Sequence, residues 1–229
     1  MPKNFQSEFN EIFITIIAPF FKEMGFRKNG NVFNRKTNEL IQVVSIQKSR
    51  WNNPDNISFT FNIGLFDPEI YLQESKQEIP KFIREYDCQL RIRLGQITKS
   101  HDYWYELNKV TNKENLKIEI YADLYNSLKP ILQKNTDLNS IKYLILNDPI
   151  IILTTPNLYK IRFLFRAKEI KEGKKLLEEE YFRVLNPEDY ISKTILPDGS
   201  EIVKSSKSQI NIEYLNILKD MAKANNITL

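Results

Sequence analysis

Two arginines, Arg91 and Arg93, are spaced so that they could act together on an anion. They alternate with leucine and isoleucine in a strand predicted at residues 88–96. Because successive side chains of a strand point to opposite faces, both guanidinium groups lie on one side, about 7 Å apart. Two guanidinium groups at that separation can hold a phosphate or carboxylates through bidentate hydrogen bonds. The alternative is an ordinary solvated face, on which neighbouring carboxylates pair with the arginines.

Polar residues on two other predicted strands extend this surface. In residues 57–66 the odd positions are large and apolar, whereas the even positions, including Asn62, are small or polar. This period of two predicts a strand with one buried face and one polar face. Gln47 belongs to a further strand predicted at residues 39–48. If the three strands share a sheet, Gln47 and Asn62 line the same polar surface as the two arginines.

Two aromatic segments carry a second kind of binding chemistry. Lys48, Arg50 and Trp51 lie within four residues at the end of a predicted strand. Cations beside an indole can form a cation–π or base-stacking platform, although a tryptophan there can also cover the rim of the sheet. Trp104 lies in the run Tyr-Trp-Tyr, which is typical of core closure or of a surface that docks a partner.

The sequence does not contain the residues from which the common catalytic and metal sites are built. His101 is the sole histidine and Cys88 the sole cysteine, so the usual zinc sites cannot form. No nucleophile-elbow sequence, Walker loop, dinucleotide fingerprint or calcium loop is present. Cys88 falls on the apolar side of its predicted strand, where an inert buried thiol is expected. We therefore assign no catalytic residue, metal ligand or cofactor and prefer a non-catalytic function.

The elements that position these residues indicate an α+β fold. Residues 5–24 and 113–133 have apolar stripes at helical spacing and predict two long helices, the first kinked or broken at Pro19. Predicted strands at residues 31–35, 39–48, 57–66 and 88–96 give an antiparallel sheet of about four strands. Val43 and Val44 break the alternation of the second strand, which indicates either a bulge or a strand covered on both faces. The sheet is expected to pack on the two helices.

The sequence pattern changes near residues 134–140, from mixed helices and strands to mainly helical segments, and this predicts a domain boundary. Residues 1–135 form the α+β domain in this prediction. Residues 136–229 form a mostly helical region with a short β-hairpin near residues 195–203, where Pro-Asp-Gly is a strong turn signal.

Composition limits the class of protein and its partners. The chain has 229 residues, of which 41% are hydrophobic and 27% charged, as in ordinary globular proteins. The net charge of +4 is spread thinly along the chain, unlike the charge of a committed nucleic-acid binder. No apolar run approaches the roughly 20 residues of a membrane span, so no membrane partner is expected. A lone cysteine without a disulfide framework, and no signal peptide, predict a cytoplasmic protein.

Four segments of the N-terminal half occur in an order that resembles a known family. They are Phe20-Phe21-Lys22-Glu23-Met24-Gly25-Phe26-Arg27-Lys28, Ile46-Gln47-Lys48-Ser49-Arg50-Trp51, Ile57-Ser58-Phe59-Thr60-Phe61-Asn62-Ile63-Gly64 and Cys88-Gln89-Leu90-Arg91-Ile92-Arg93-Leu94-Gly95. Together with Trp104-Tyr105, they resemble the bacterial domain-of-unknown-function family 4304 over roughly residues 5–135. The resemblance implies a domain but no activity.

Two functions are compatible with these observations. We prefer a non-catalytic interaction module that recognises a protein partner, for which an immunity or accessory role in bacterial conflict systems is a natural setting. The alternative is an anion or nucleic-acid site, with or without enzymatic activity, on the arginine-bearing face. A concave pocket that holds Arg91 and Arg93 with Gln47 and Asn62 favours a ligand site, whereas flat, paired arginines favour the interaction module.

Overall fold

The chain forms two compact units. A computed structural model describes residues 5–75 and 77–229, and the chain divides between Tyr159 and Lys160. About 50% of the residues are helical and 21% are in strands, with an antiparallel sheet and a mainly helical C-terminal part, so the α+β prediction is confirmed. Among the described residues, no helix has both the length and the apolar character needed to cross a membrane.

The first unit contains the main sheet and the helices that pack on it. Its strands are β1 (Arg27–Asn29), β2 (Val32–Lys36), β3 (Ile41–Lys48), β4 (Asn56–Phe66), β5 (Leu90–Arg93) and β6 (Tyr105–Asn108). Its shorter helices are α2 (Pro68–Ser75), α3 (Leu94–Thr98), α5 (Leu138–Asn147) and α6 (Pro149–Thr154). The two long helices, α1 and α4, were both predicted, and each consists of three segments. They are Phe5–Ile12, Phe13–Ile17 and Ala18–Glu23 in α1, and Lys113–Ala122, Asp123–Leu128 and Lys129–Lys134 in α4.

The middle segment of each long helix is a π-helix. In both cases a proline, Pro19 or Pro130, stands two residues beyond the end of that segment. Proline donates no backbone hydrogen bond and its ring crowds the preceding turn, and a π turn is one way for a helix to absorb both effects. The helix predicted to kink or break at Pro19 therefore continues past it, with a wider turn just before the proline.

The sheet has the strand order β1-β2-β3-β4-β5, and β6 also pairs with β4. The long strand β4 has room for two partners on one edge, since its first part pairs with β6 and its later part with β5. The sheet thus has six strands instead of about four. The strand predicted at residues 88–96 is also shorter, because the backbone turns into α3 after Arg93. The side chain of Gln96 accepts a hydrogen bond from the Arg93 amide at 2.9 Å and so caps this helix.

The two faces of the sheet pack differently. One face forms a large aromatic core with α1 and α4, in which Phe59 is fully buried and meets Phe9 at 4.9 Å between ring centroids. The opposite face is partly covered by residues 79–89, through a smaller cluster that includes Ile83 and Cys88. Val43 packs into this smaller cluster and Val44 into the large core, within an unbroken strand ladder. Of the two interpretations, a strand covered on both faces is therefore correct, and no bulge forms.

The boundary predicted near residue 135 lies inside the first unit. The buried side chain of Gln42 donates hydrogen bonds to the backbone carbonyls of Leu132 and Asn135, at 2.7 and 2.6 Å. The Leu138 amide donates to Glu39 at 3.0 Å. These contacts tie the start of α5 to the sheet. Independent folding of residues 1–135 stays a prediction.

The second unit follows from Lys160. It contains most of α7 (Asn157–Arg166), then α8 (Ile170–Leu185), the strands β7 (Tyr190–Ile195) and β8 (Glu201–Ser206), and α9 (Ile212–Ala224). The two strands form an antiparallel hairpin whose turn contains the predicted Pro-Asp-Gly sequence. Helices α8 and α9 are joined by a hydrogen bond of 2.9 Å from the Tyr214 hydroxyl to the buried carboxylate of Glu180.

Candidate ligand-binding pocket

A polar pocket of about 500 Å³ lies on the sheet face opposite the large core. Its floor is formed by β3, β4 and β5, and its walls by residues 85–89, by Asp102 and by residues 154–159. Gln47, Asn62, Arg91 and Arg93, which the sequence placed on one surface, all line it. Cross-strand pairing accounts for this, because Asn62 stands opposite Arg93 and Gly64 opposite Arg91 in the β4–β5 ladder.

Arg93 is the centre of a hydrogen-bond network on the pocket floor. Its Nε donates to Asn62 Oδ1 at 3.1 Å, and Asn62 Nδ2 donates to Gln47 Oε1 at 2.8 Å. Its Nη1 forms an ion pair with Asp102, and its guanidinium lies 5.4 Å from the ring centroid of Trp104. Its Nη2 also donates to Gln47 Oε1 at 3.5 Å, so all three guanidinium nitrogens are engaged, and Asn62 beneath them is only 7% exposed. A guanidinium fixed in this way loses little further side-chain entropy when it binds a ligand.

Arg91 is held by only one contact. Its Nε forms an ion pair with Glu85, while its two terminal nitrogens make no hydrogen bond to any of the described residues. The hydrogen bond to Glu85 raises the pKa of Arg91 above its ordinary value, and partial burial opposes this effect. The Arg91 side chain is 52% exposed, against 14% for Glu85. The carboxylate therefore anchors Arg91 from the protein side, and the free end of the guanidinium faces solvent.

A close approach between Gly64 and Cys88 brings one wall onto the sheet. A β-carbon on Gly64 would lie 2.5 Å from the Cys88 sulfur, a separation that real structures do not tolerate. The absence of a side chain at Gly64 thus lets the turn at residues 85–88 pack directly over β4. Burial, with smaller effects of the Glu85 and Asp87 carboxylates, raises the pKa of the Cys88 thiol well above its ordinary value. Cys88 is a buried wall residue whose thiolate is strongly disfavoured.

The opposite wall depends on Gly95 in the same manner. A β-carbon on Gly95 would lie 2.6 Å from the Tyr103 backbone nitrogen and 2.9 Å from the His101 carbonyl oxygen. The Tyr103 carbonyl also accepts a hydrogen bond of 2.9 Å from the buried hydroxyl of Thr60 on β4. These contacts fix the segment at residues 101–104 against β4 and α3. They thereby place Asp102 and Trp104 beside Arg93.

The other predicted binding residues lie elsewhere. Lys48 points to the opposite face, where its ammonium donates to Gln6 at 3.0 Å and lies 4.3 Å from the Phe9 ring centroid. Arg50 stacks on Trp51 at 4.8 Å in the turn between β3 and β4, where Trp51 is 75% exposed. The structure therefore separates the eight predicted residues into two groups. Gln47, Asn62, Arg91 and Arg93 line the pocket and Trp104 lies beside it against Arg93, whereas Lys48, Arg50 and Trp51 do not line it.

Sequence reasoning did not identify Glu85, Gln96, Asp102 and Tyr159 as pocket residues, although all four line it. No spacing rule links them to the arginines, because they follow β4 or β5 in turns and short helices. Gly64 and Gly95 carried a usable signal, since a glycine within a strand pattern often marks the close approach of another chain segment.

Among residues 5–75 and 77–229, no three histidine, cysteine, aspartate or glutamate side chains are grouped so that they could hold a metal ion.

An antiparallel sheet packed on two long helices, with a polar pocket on its other face, defines an α+β domain in the first part of the chain. The family described as a domain of unknown function (DUF4304) matches residues 17–134, and the chain belongs to this family. The resemblance noted in the sequence is thus confirmed. Comparisons with curated proteins and with solved structures gave no match.

Proposed function

We propose that the polar pocket binds a small organic anion, with a phosphate or carboxylate group held by Arg91 and Arg93. One observation carries this proposal: both arginines share a concave pocket with Gln47 and Asn62. A volume of about 500 Å³ is within the range of small-molecule sites. The free terminal nitrogens of Arg91 supply donors in the planar arrangement that suits a bidentate anion, and Nη1 of Arg93 becomes a further donor when its contact with Asp102 is broken.

The ion pairs within the pocket favour a small ligand over a nucleic acid. Glu85 and Asp102 balance the charges of the two arginines, so the pocket lacks the excess of positive charge that draws a polyanion. Asp102 is 54% exposed, more than the Arg93 side chain that it contacts. In this proposal Asp102 occupies the position of the ligand anion and is displaced when the ligand binds.

The test is a calorimetric titration with phenyl phosphate, inorganic phosphate and benzoate at low ionic strength. Arg91→Gln and Arg93→Gln each remove a charged donor, and a charge-assisted hydrogen bond contributes about 1.5–3 kcal/mol, so each is expected to weaken binding by about tenfold or more. Asp102→Asn removes the competing carboxylate and is expected to strengthen it. Arg27→Gln, at an exposed arginine on β1 outside the pocket, is the matched control.

Two results would overturn the proposal. One is that none of the three anions binds saturably with a Kd below about 1 mM. The other is equal affinity of the wild type, the two pocket variants and the Arg27→Gln control, since binding would then occur elsewhere.

A second candidate function is recognition of a protein partner by the turn between β3 and β4. Trp51 is 75% exposed and stacked by Arg50, and tryptophan and arginine are the residues most enriched in interface hot spots. Trp51→Ala is expected to abolish co-purification of a specific partner from the native host while leaving the melting temperature unchanged. The same set of bound proteins with Trp51→Ala as with the wild type would refute this function.

We also propose a cytoplasmic location. The single cysteine is buried as a free thiol, which is typical of proteins kept in a reducing compartment. Fractionation of the native host with an antibody against the protein tests this proposal, and recovery outside the cytoplasm would contradict it.

A further inference from the structure

A second pocket, separate in character from the polar one, lies on the large-core side of the first unit. It has a volume of about 470 Å³ and is bounded by β4 and β5, by the last segment of α4, and by α5 and α6. Its lining is largely apolar. Strand β5 stands between the two pockets, since Arg91 and Ile92 line both.

Apolar side chains line this apolar pocket without being fully covered. Ile92, Ile97, Ile131, Leu144 and Ile150 are all half-buried. All five line the concavity, which therefore has apolar side chains that are not fully removed from water. Apolar surface gathered in a concave site is the usual mark of a place where an apolar molecule binds, because binding removes that surface from water.

One cation at this pocket is available to a ligand. Lys134 lies 4.8 Å from the ring centroid of Tyr143 and forms no ion pair or hydrogen bond with any described residue. The other two charged groups of the lining are directed elsewhere. The Arg91 guanidinium lies on the opposite face of the sheet, beside Glu85 in the polar pocket, and Asp148 accepts hydrogen bonds from the Ile150 and Ile151 amides at 2.9 and 3.0 Å as the cap of α6.

We infer that the apolar pocket binds an aliphatic carboxylate, with the chain against the isoleucine and leucine side chains and the carboxylate on Lys134. An apolar lining with one unpaired ammonium matches a molecule with an apolar body and one negative head. The Asp148 carboxylate accepts the two cap hydrogen bonds through Oδ1 and, among the described residues, forms no ion pair with Lys134. This site is independent of anion binding in the polar pocket.

The experiment compares decanoate with decanol, which share a chain length and differ in the head group. Both are titrated into the full-length protein by calorimetry, with isoleucine methyl shifts in NMR spectra to locate the site. Lys134→Met keeps an apolar stem and removes the charge, so it is expected to weaken decanoate binding by about tenfold and to leave decanol binding unchanged. Ile150→Trp fills the cavity and is expected to abolish binding of both.

Matched variants keep these results interpretable. Ile118→Trp adds the same bulk at an exposed position of α4 outside the pocket and is expected to bind decanoate like the wild type. Leu144→Trp is the second filling variant, used if Ile150→Trp does not fold. Arg93→Gln disrupts the polar pocket alone, so loss of phosphate binding with retained decanoate binding separates the two sites.

Three outcomes would overturn the inference. They are the absence of saturable decanoate binding to the wild type, unchanged decanoate affinity in Lys134→Met, and retained binding in both filling variants. The first shows that the pocket takes no such ligand, the second that Lys134 does not hold its head, and the third that the ligand binds elsewhere.

Discussion

Gly95→Ala should displace one wall of the polar pocket, and its effect follows from the distances around that glycine. The new β-carbon would lie 2.6 Å from Tyr103, where ordinary contact begins at 3.4 Å, so the segment at residues 101–104 must retreat by about 0.8 Å. The hydrogen bond of 2.9 Å from Thr60 to the Tyr103 carbonyl would then exceed bonding distance. The ion pair between Arg93 and Asp102 would loosen with it.

The expected loss of stability combines three effects. Overpacking a tightly filled site costs about 1–3 kcal/mol, and a lost hydrogen bond adds about 0.5–1.5 kcal/mol. Alanine offsets up to about 1 kcal/mol of this, because Gly95 lies in the short helix α3, where alanine is the better helix former. The net expectation is a decrease of about 0.5–4.5 kcal/mol in the free energy of unfolding.

The assay uses Trp104 as a reporter of the displaced wall. The chain has two tryptophans, so Trp51→Phe leaves Trp104 as the single emitting indole. Urea unfolding followed by Trp104 fluorescence gives the free energy, and the native emission spectrum reports the contact with Arg93. Gly64→Ala is the matched control, because its β-carbon clashes with Cys88 on the other wall and should lower stability without shifting the Trp104 emission.

An unchanged free energy of unfolding for Gly95→Ala, or a gain, would refute the reasoning. It would mean that the 101–104 segment yields without cost and that Gly95 does not position the wall. A loss of stability without any change in Trp104 emission would place the strain elsewhere in α3.

Three further outcomes are expected. Phe59→Ala should destabilise the first unit by about 3–5 kcal/mol in a denaturant melt, because the ring is fully buried among Phe9, Phe61 and Tyr105, and a loss below about 1 kcal/mol would contradict that packing. Iodoacetamide at neutral pH should alkylate Cys88 far more slowly in the native protein than in denaturant, since burial raises the pKa of its thiol. Equal rates would show that the pocket wall at residues 85–89 opens readily. Burial, with a hydrogen bond to Glu119, raises the pKa of Tyr103 from 10.0 to about 12. The contribution of the neutral Tyr103 hydroxyl to stability is therefore complete below pH 10.0 and is lost as the pH rises toward about 12. Tyr103→Phe should reduce this alkaline loss in unfolding titrations, and an unchanged pH profile would contradict the assignment.

The long periodic elements were predictable because their patterns reflect a single buried surface. The apolar stripes of α1 and α4 and the alternation in β4 each face the large core, and burial of that surface selects the helix or the strand. The helix start at Asp67 was likewise predictable, since its carboxylate accepts hydrogen bonds from the Glu69 and Ile70 amides at 2.8 and 3.2 Å. These features depend on neighbours within a few residues.

The short elements were not predictable from local pattern. Strands β1 and β6 have three and four residues, too few to show a period, and they exist because β2 and β4 offer unpaired edges. Leu94 fits the apolar side of a strand as well as that of a helix. The Gln96 side chain, which accepts a hydrogen bond from the Arg93 amide, stabilises the start of the helix at this position. The polar face predicted for β4 is itself buried at Thr60 and Asn62, which the two-residue period could not show.

The two-residue period of a strand was enough to predict that Arg91 and Arg93 share a face with Asn62 and Gln47, provided that their strands belong to one sheet. The pairing of β3 with β4 and of β4 with β5 meets that condition. That this face is a pocket follows from tertiary contacts alone. Its walls come from segments after β4 and β5 that pack against Gly64 and Gly95, and such contacts depend on the shape of the folded sheet, which no local spacing encodes.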